Sequence, residues 1–144
     1  MKVLTRWETD VLIVGGGGAG LRAALAAAEA GSSVMLVNKG PMSRSGVTLT
    51  AAGGMQAPFH PDDSAKQFFQ DTIRCGYGLG DQNLAWVLAT EACDAVRDLE
   101  HNGARFVRNA AGEYALGRFP GQSHPRNLFV KGGGVGIVSA LANA

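Results

Sequence analysis

The residues best placed to do chemistry in this chain are glycines. Gly15, Gly17 and Gly20 stand in phase with G-x-G-x-x-G, directly behind an apolar run from Val11 to Val14. Gly16, Gly18 and Ala19 fill the positions between, so no side chain in the turn exceeds a methyl group. In such a turn the first glycine lets the chain leave a strand sharply. The second lets the backbone approach a pyrophosphate, and the third lets a helix lie close to the strand. The start of that helix presents open N–H groups and the positive end of its dipole to a phosphate. A glycine-rich turn without a ligand is the plainer alternative, and the flanking elements weigh against it.

Those elements are legible. Residues 21–30 are mostly alanine, favour helix and end at Gly31. A second apolar run, Val34 to Val37, follows. Strand, glycine turn, helix and strand make the βαβ unit of dinucleotide folds. Many such folds place an acid at the end of the second strand to bind ribose hydroxyls. Here Asn38 and Lys39 stand there instead. An amide can bond a hydroxyl, or Asn38 can simply end the strand. The missing acid argues against a nicotinamide dinucleotide.

Residues 41–58 are rich in hydroxyls and glycine, with Ser45, Gly46, Val47, Thr48, Ala52, Gly53 and Gly54 as the candidate ligand contacts. A long structureless loop of this kind is expected to wrap a ligand. Arg44 could meet a phosphate or a carboxylate, or stand as a solvated charge. Beyond it, residues 61–64 read as a helix start, with the helix running to about Arg74 and broken by glycines 76, 78 and 80. Asp81 reads as the N-cap of a longer helix whose core stripe is Leu84, Leu88, Ala92, Ala95, Val96 and Leu99, ended by Gly103. Trp86 reads as packing, and His101 suits the last turn as a cation. Residues 105–108 and 113–116 suggest a hairpin, residues 118–131 a loop running into a strand, and Gly132 to Gly136 the approach to a helix beginning near Ile137.

Bulk properties narrow the class. The chain has 144 residues, 46% hydrophobic and 17% charged, with a net charge of +1, as expected of one globular domain. The absence of a basic cluster speaks against nucleic acid. No apolar run approaches the ~20 residues of a membrane span, and the N-terminus is too polar for a signal peptide. Cys75 and Cys93 form no C-x-x-C pair, no disulfide framework and no metal site, so reduced thiols in the cytoplasm are expected. Glycine is the compositional outlier, with 21 residues, many of them in clusters at 15–20, 53–54 and 132–136.

In order along the chain, residues 14–24 including Arg22, Ser43 and Ser45 with Ala51 to Gly54, Asp71 and Thr72 with residues 78–82, and Phe119 to His124 with Arg126 together resemble the flavoprotein subunit family of succinate dehydrogenase and fumarate reductase, whose relatives include L-aspartate oxidase. The resemblance implies an α/β, Rossmann-like FAD-binding domain, incomplete and followed by helices and a β-hairpin. Its parts would be residues 1–58, the dinucleotide unit and flavin-wrapping loop, and residues 59–144, a truncated continuation. It further implies FAD, with residues 15–20 on the pyrophosphate, Asn38 and Lys39 on the adenosine side, and residues 45–54 along the ribityl chain and isoalloxazine. Many members attach FAD through a histidine in that loop. Gly46 or Val47 stands there, and His60, His101 and His124 all lie elsewhere, so the FAD is expected to be non-covalent.

The implied reaction is hydride transfer between flavin and a small dicarboxylate, whose binding and catalytic groups come from a later segment. No catalytic residue is assigned in this chain. His124 and Arg126 could approach the substrate edge or serve structure alone. An iron–sulfur partner protein, peripheral membrane attachment through partners, and self-association are further expectations of the resemblance. A non-catalytic nucleotide-binding module and an L-aspartate oxidase-like fragment are the alternatives.

Overall fold

In the computed structural model, residues 5–41 and 46–144 are described. Met42, Ser43, Arg44 and Ser45 therefore lie outside the described residues. The first strand, β1 (Val11–Val14), and the second, β2 (Val34–Val37), pair in parallel with Val11 opposite Val34 and Val14 opposite Val37. Helix α1 (Gly18–Glu29) crosses between them. It starts three residues earlier than the alanine run suggests, because the glycine turn itself supplies its first turn. The far end of the unit is tied by Asp10, which accepts from the Ser33 amide (2.9 Å) and hydroxyl (2.7 Å).

Residues 41–58 are not the structureless loop expected. They hold a 3-10 turn (Val47–Thr50) and a strand, β3 (Gly54–Gln56). β3 pairs antiparallel with β4 (Asn127–Phe129), Gly54 opposite Phe129. The partner strand is distant in sequence, so no local pattern announces the pairing. The residues 105–116 hairpin closes around its expected turn, with the Asn109 amide donating to the Glu113 carbonyl at 2.9 Å. It pairs through single bridges, Arg108 with Tyr114 and Phe106 with Val130, rather than through a continuous ladder.

Helices α2 (Ala65–Cys75) and α3 (Gln82–His101) pack against each other. Ser64 caps α2 by accepting from the Gln67 amide, and Asp81 caps α3 by accepting from the Asn83 and Leu84 amides. The buried stripe of α3 is Ala85, Ala89, Ala92 and Val96. Leu84 and Leu88, expected in the core, are more than half exposed. Small alanines at the contact let α2 approach and seat the large Phe68 ring, and this turns the leucines outward. Trp86 is half exposed and meets Phe69 edge-on. A final helix, α4 (Gly133–Asn143), begins four residues before Ile137.

One core joins Phe68, Ala92, Val96, Phe106, Leu128 and Val130, and a second joins Leu21, Val138 and Leu141. Partly buried Leu99 and Ile137 belong to both. One face of the β1–β2 pair lies under α1. On the other, Leu12 is 59% and Val14 81% exposed. Such a face is expected to drive concentration-dependent association. Light scattering across a dilution series should show it, and Leu12→Gln with Val14→Thr should reduce it.

Candidate functional site

Glycine turn and wrapping segment meet around Thr48. Gly15 leaves β1 with φ of +111°, a conformation open to glycine at little cost. A Cβ on Gly20 would lie 1.9 Å from the Gly15 carbonyl oxygen, so helix and strand touch backbone to backbone there. Thr48 Oγ1 accepts from the Gly18 amide at 3.0 Å, and Asn38 Oδ1 accepts from the Gly16 amide at 3.3 Å. Among the described residues the Gly17 and Ala19 amides have no hydrogen-bond partner. Gly46, with φ of +103°, passes Gly17 at van der Waals distance, a Cβ on it falling 3.7 Å from the Gly17 Cα. Lys39 is exposed at the end of β2.

The second and third glycine clusters meet each other. A Cβ on Gly53 would fall 2.6 Å from the Gly133 Cα, and one on Gly134 would fall 1.7 Å from the Thr48 carbonyl oxygen. The Gly134 amide donates to the Ala51 carbonyl at 2.8 Å, and the Val130 amide to the Gly53 carbonyl at 3.0 Å. Glycines 133 and 134 are therefore close-approach glycines for the protein's own backbone. They hold the 47–54 segment against the start of α4, while the Thr48 hydroxyl ties it to the start of α1. From the sequence alone this cluster reads as a helix approach, and as backbone brought against a ligand or a flexible loop. The shared glycine density at 53–54 and 132–136 is the signal that points to the contact.

The site's fit to a dinucleotide rests on this cradle. A turn with no side chain larger than the Ala19 methyl, open amides at a helix start and a hydroxyl-bearing segment alongside suit a pyrophosphate. When bound, FAD would be held by residues 15–20, with 46–54 beside it.

Next to Gly54 lies a cavity of about 690 Å³, lined by Gln56, Thr72, Cys75, Leu88, Phe119 and Gln122 among others. Its floor carries a buried ion cluster. Arg126, fully buried, donates through Nε (2.9 Å) and Nη2 (2.9 Å) to Asp63 and through Nη1 (2.8 Å) to Asp71. Asp71 also accepts from the Ser123 amide (2.7 Å), the Ser123 hydroxyl (2.8 Å), Gln67 and Arg74. Burial alone would raise the Asp71 carboxyl. The bonds from Ser123, Arg126 and Gln67 outweigh it and hold the pKa at about 2. Arg126 thus serves structure, its charge met by two carboxylates. His124 stacks on His60 with ring centroids 5.6 Å apart. Arg22 pairs with Asp98 of α3 at 3.1 Å. Cys93 is partly buried, and burial raises its thiol pKa. No group of three metal-ligating side chains occurs among the described residues.

Fold and cradle define a dinucleotide-binding α/β domain. Residues 10–143 match the FAD binding domain family, and the chain belongs to it. Its cofactor is accordingly FAD. The chain is 41% identical over 126 residues to a subunit of the fumarate reductase (CoM/CoB) of Methanothermobacter marburgensis, covering 85% of this chain and 23% of that protein. It is 40% identical over 138 residues to L-aspartate oxidase of Streptomyces coelicolor, covering 94% and 23%. Among solved structures, Mycobacterium smegmatis Sdh1 in complex with UQ1 superposes with a TM-score of 0.90 at 35% identity, over 97% of this chain and 24% of that one. E. coli quinol fumarate reductase FrdA gives 0.87 at 32%, over 94% and 24%. The chain spans about a quarter of the length of the curated relatives it matches.

Two outcomes are expected. Asp71→Ala leaves Arg126 short of a partner in the interior and should cost about 3–5 kcal/mol in urea unfolding. Asp71 titrates near 3.8 when unfolded and about 2 in the fold. Its contribution, on the order of 2 kcal/mol, should therefore be fully present above pH 4 and disappear as pH falls toward 2, a loss absent from Asp71→Asn.

Proposed function

We propose that this chain is the cofactor-cradling portion of an FAD-dependent oxidoreductase of the succinate dehydrogenase and fumarate reductase type, holding FAD non-covalently. The observation that carries the reading is the Cβ-free turn at Gly15, Gly17 and Gly20, closed by Thr48 and Gly46 from the wrapping segment. Gly15 to Gly20 hold the pyrophosphate, the open Gly17 and Ala19 amides donating to it. Asn38 and Lys39 flank the adenosine side, and of the expected residues 45–54 the described ones, 46–54, run along the ribityl chain and ring system. The absence of histidine from residues 41–58 supports a dissociable cofactor.

Bound FAD supplies hydride exchange with a carbon of a small dicarboxylate. The chain's own part is to hold and orient. Arg126, the cation at the neighbouring cavity, is already neutralised by Asp63 and Asp71. The cations that grip two carboxylates, and the acid that moves a proton, come in this reading from outside the described residues. An iron–sulfur partner, peripheral placement at the cytoplasmic membrane face through partners, and self-association belong to the same proposal, supported by the likeness to Sdh1 and FrdA. No helix among the described residues is long and apolar enough to cross a membrane. An L-aspartate oxidase-like role is the second reading, favoured by the 40% identity to the Streptomyces coelicolor enzyme.

Titration with FAD, followed by flavin fluorescence, tests the proposal. Saturable binding is expected, with NAD failing to compete and the flavin released intact by acid precipitation. Flavin retained on the precipitated chain would contradict non-covalent binding, and displacement by NAD would contradict the cofactor assignment. Among the described residues a Cβ on Gly17 meets only Thr48 Oγ1, at 3.4 Å, so Gly17→Val should leave the fold intact. Affinity for FAD should nevertheless fall roughly a hundredfold or more, because the side chain occupies the pyrophosphate's approach.

A further inference from the structure

The cavity beside Gly54 has one wall that is a short turn, residues 118–123, and that turn is tied down from two directions. Internally, the Phe119 amide donates to Gln122 Oε1 at 2.8 Å, and Gln122 pairs with Asn127 through both amide groups. Externally, every tie leads to α2, beginning with Gln67 in its first turn, which donates through Nε2 to Ser123 Oγ at 3.0 Å. The Ser123 amide and hydroxyl both donate to Asp71. Arg74, largely exposed, donates from the solvent side both to Asp71 and to the Gly121 carbonyl, the latter at 2.9 Å. Cys75 lies against the same carbonyl, its Sγ 3.6 Å away, and a Cβ on Gly121 would fall 2.5 Å from that sulfur.

The turn carries Phe119, whose ring meets Phe129 edge-on at 6.4 Å. Phe129 in turn lies over Gly54, so closely that a Cβ there would sit 3.1 Å from the ring. The turn thereby adjoins, through two aromatic rings, the end of the segment from Gly46 to Gly54.

We infer that Asp71 is a positioning residue: with Arg74 as an outer latch and Ser123 as the receiving group, it sets the 118–123 turn as the cavity wall facing Gly54. Neutralising Arg126 requires only one oxygen of Asp71. The remaining acceptor capacity is spent on Ser123 of the turn itself and on Arg74 and Gln67, both of which also donate to the turn. The consequence for the flavin rests on the proposed placement of residues 46–54 along it. The consequence for the turn does not.

Arg74→Met and Ser123→Ala test this, since neither residue bonds Arg126 and both changes leave it paired with Asp63 and Asp71. Two readouts need no cofactor. Hydrogen exchange of the Gln122 and Ser123 amides, and reaction of Cys75 with a thiol reagent, should each accelerate roughly tenfold in both variants as the turn opens locally. Ser123→Thr, which keeps the hydroxyl, should restore the parent rates. With FAD bound, affinity should stay within about twofold of the parent, since the glycine turn is remote, while the visible band shape of the flavin shifts. Unchanged exchange and thiol rates would overturn the positioning role. Accelerated rates with an unchanged flavin spectrum would leave the latch standing and overturn its link to the flavin. Failure of the parent chain to bind FAD would strike the functional reading alone.

Discussion

The structure depends on backbone meeting backbone where no Cβ intervenes. Gly20 brings α1 onto the Gly15 carbonyl, and Gly134 brings α4 onto the Thr48 carbonyl. Between these two contacts runs the segment from Gly46 to Gly54. Its Thr48 hydroxyl accepts from the first turn of α1, and its Ala51 carbonyl accepts from the first turn of α4. Two helix starts therefore converge on one strip of chain. Helix starts carry open donors and partial positive charge, so a segment lodged between them is both held in place and made hospitable to an anion.

The remaining architecture supports this arrangement at a distance. The parallel β1–β2 pair fixes the direction of α1, and the β3–β4 pair carries the far end of the wrapping segment into the larger core at Leu128 and Val130. That core is steadied by the Arg126 cluster, in which a buried cation is matched by two carboxylates that are themselves hydrogen-bonded. Buried ion clusters of this kind are costly to break and fix geometry more than they add stability. Here the geometry they fix is the wall of the cavity adjoining the segment from Gly46 to Gly54.

Much of this was legible in the chain itself. The βαβ unit could be read because strand, glycine turn and helix are consecutive, and the caps Ser64 and Asp81 because capping is local. Family and cofactor followed from ordered motifs spread over the whole length. What could not be read was non-local. β3 is a strand only because Asn127 to Phe129 arrive beside it. Leu84 and Leu88 match a helical stripe, yet face outward because alanines make the closer contact with α2. Arg126 could be read as a group at a substrate edge or as structure alone, and only the positions of Asp63 and Asp71 show its charge to be spent.

The central claim is that FAD binds across the glycine turn and the wrapping segment together. Amide hydrogen exchange of the whole chain with and without FAD tests this most directly. Slowed exchange is predicted over residues 16–20 and 46–54 in the same titration, with residues 105–116 unchanged. Saturable FAD binding that protects neither segment, or protects the 105–116 hairpin instead, would contradict it.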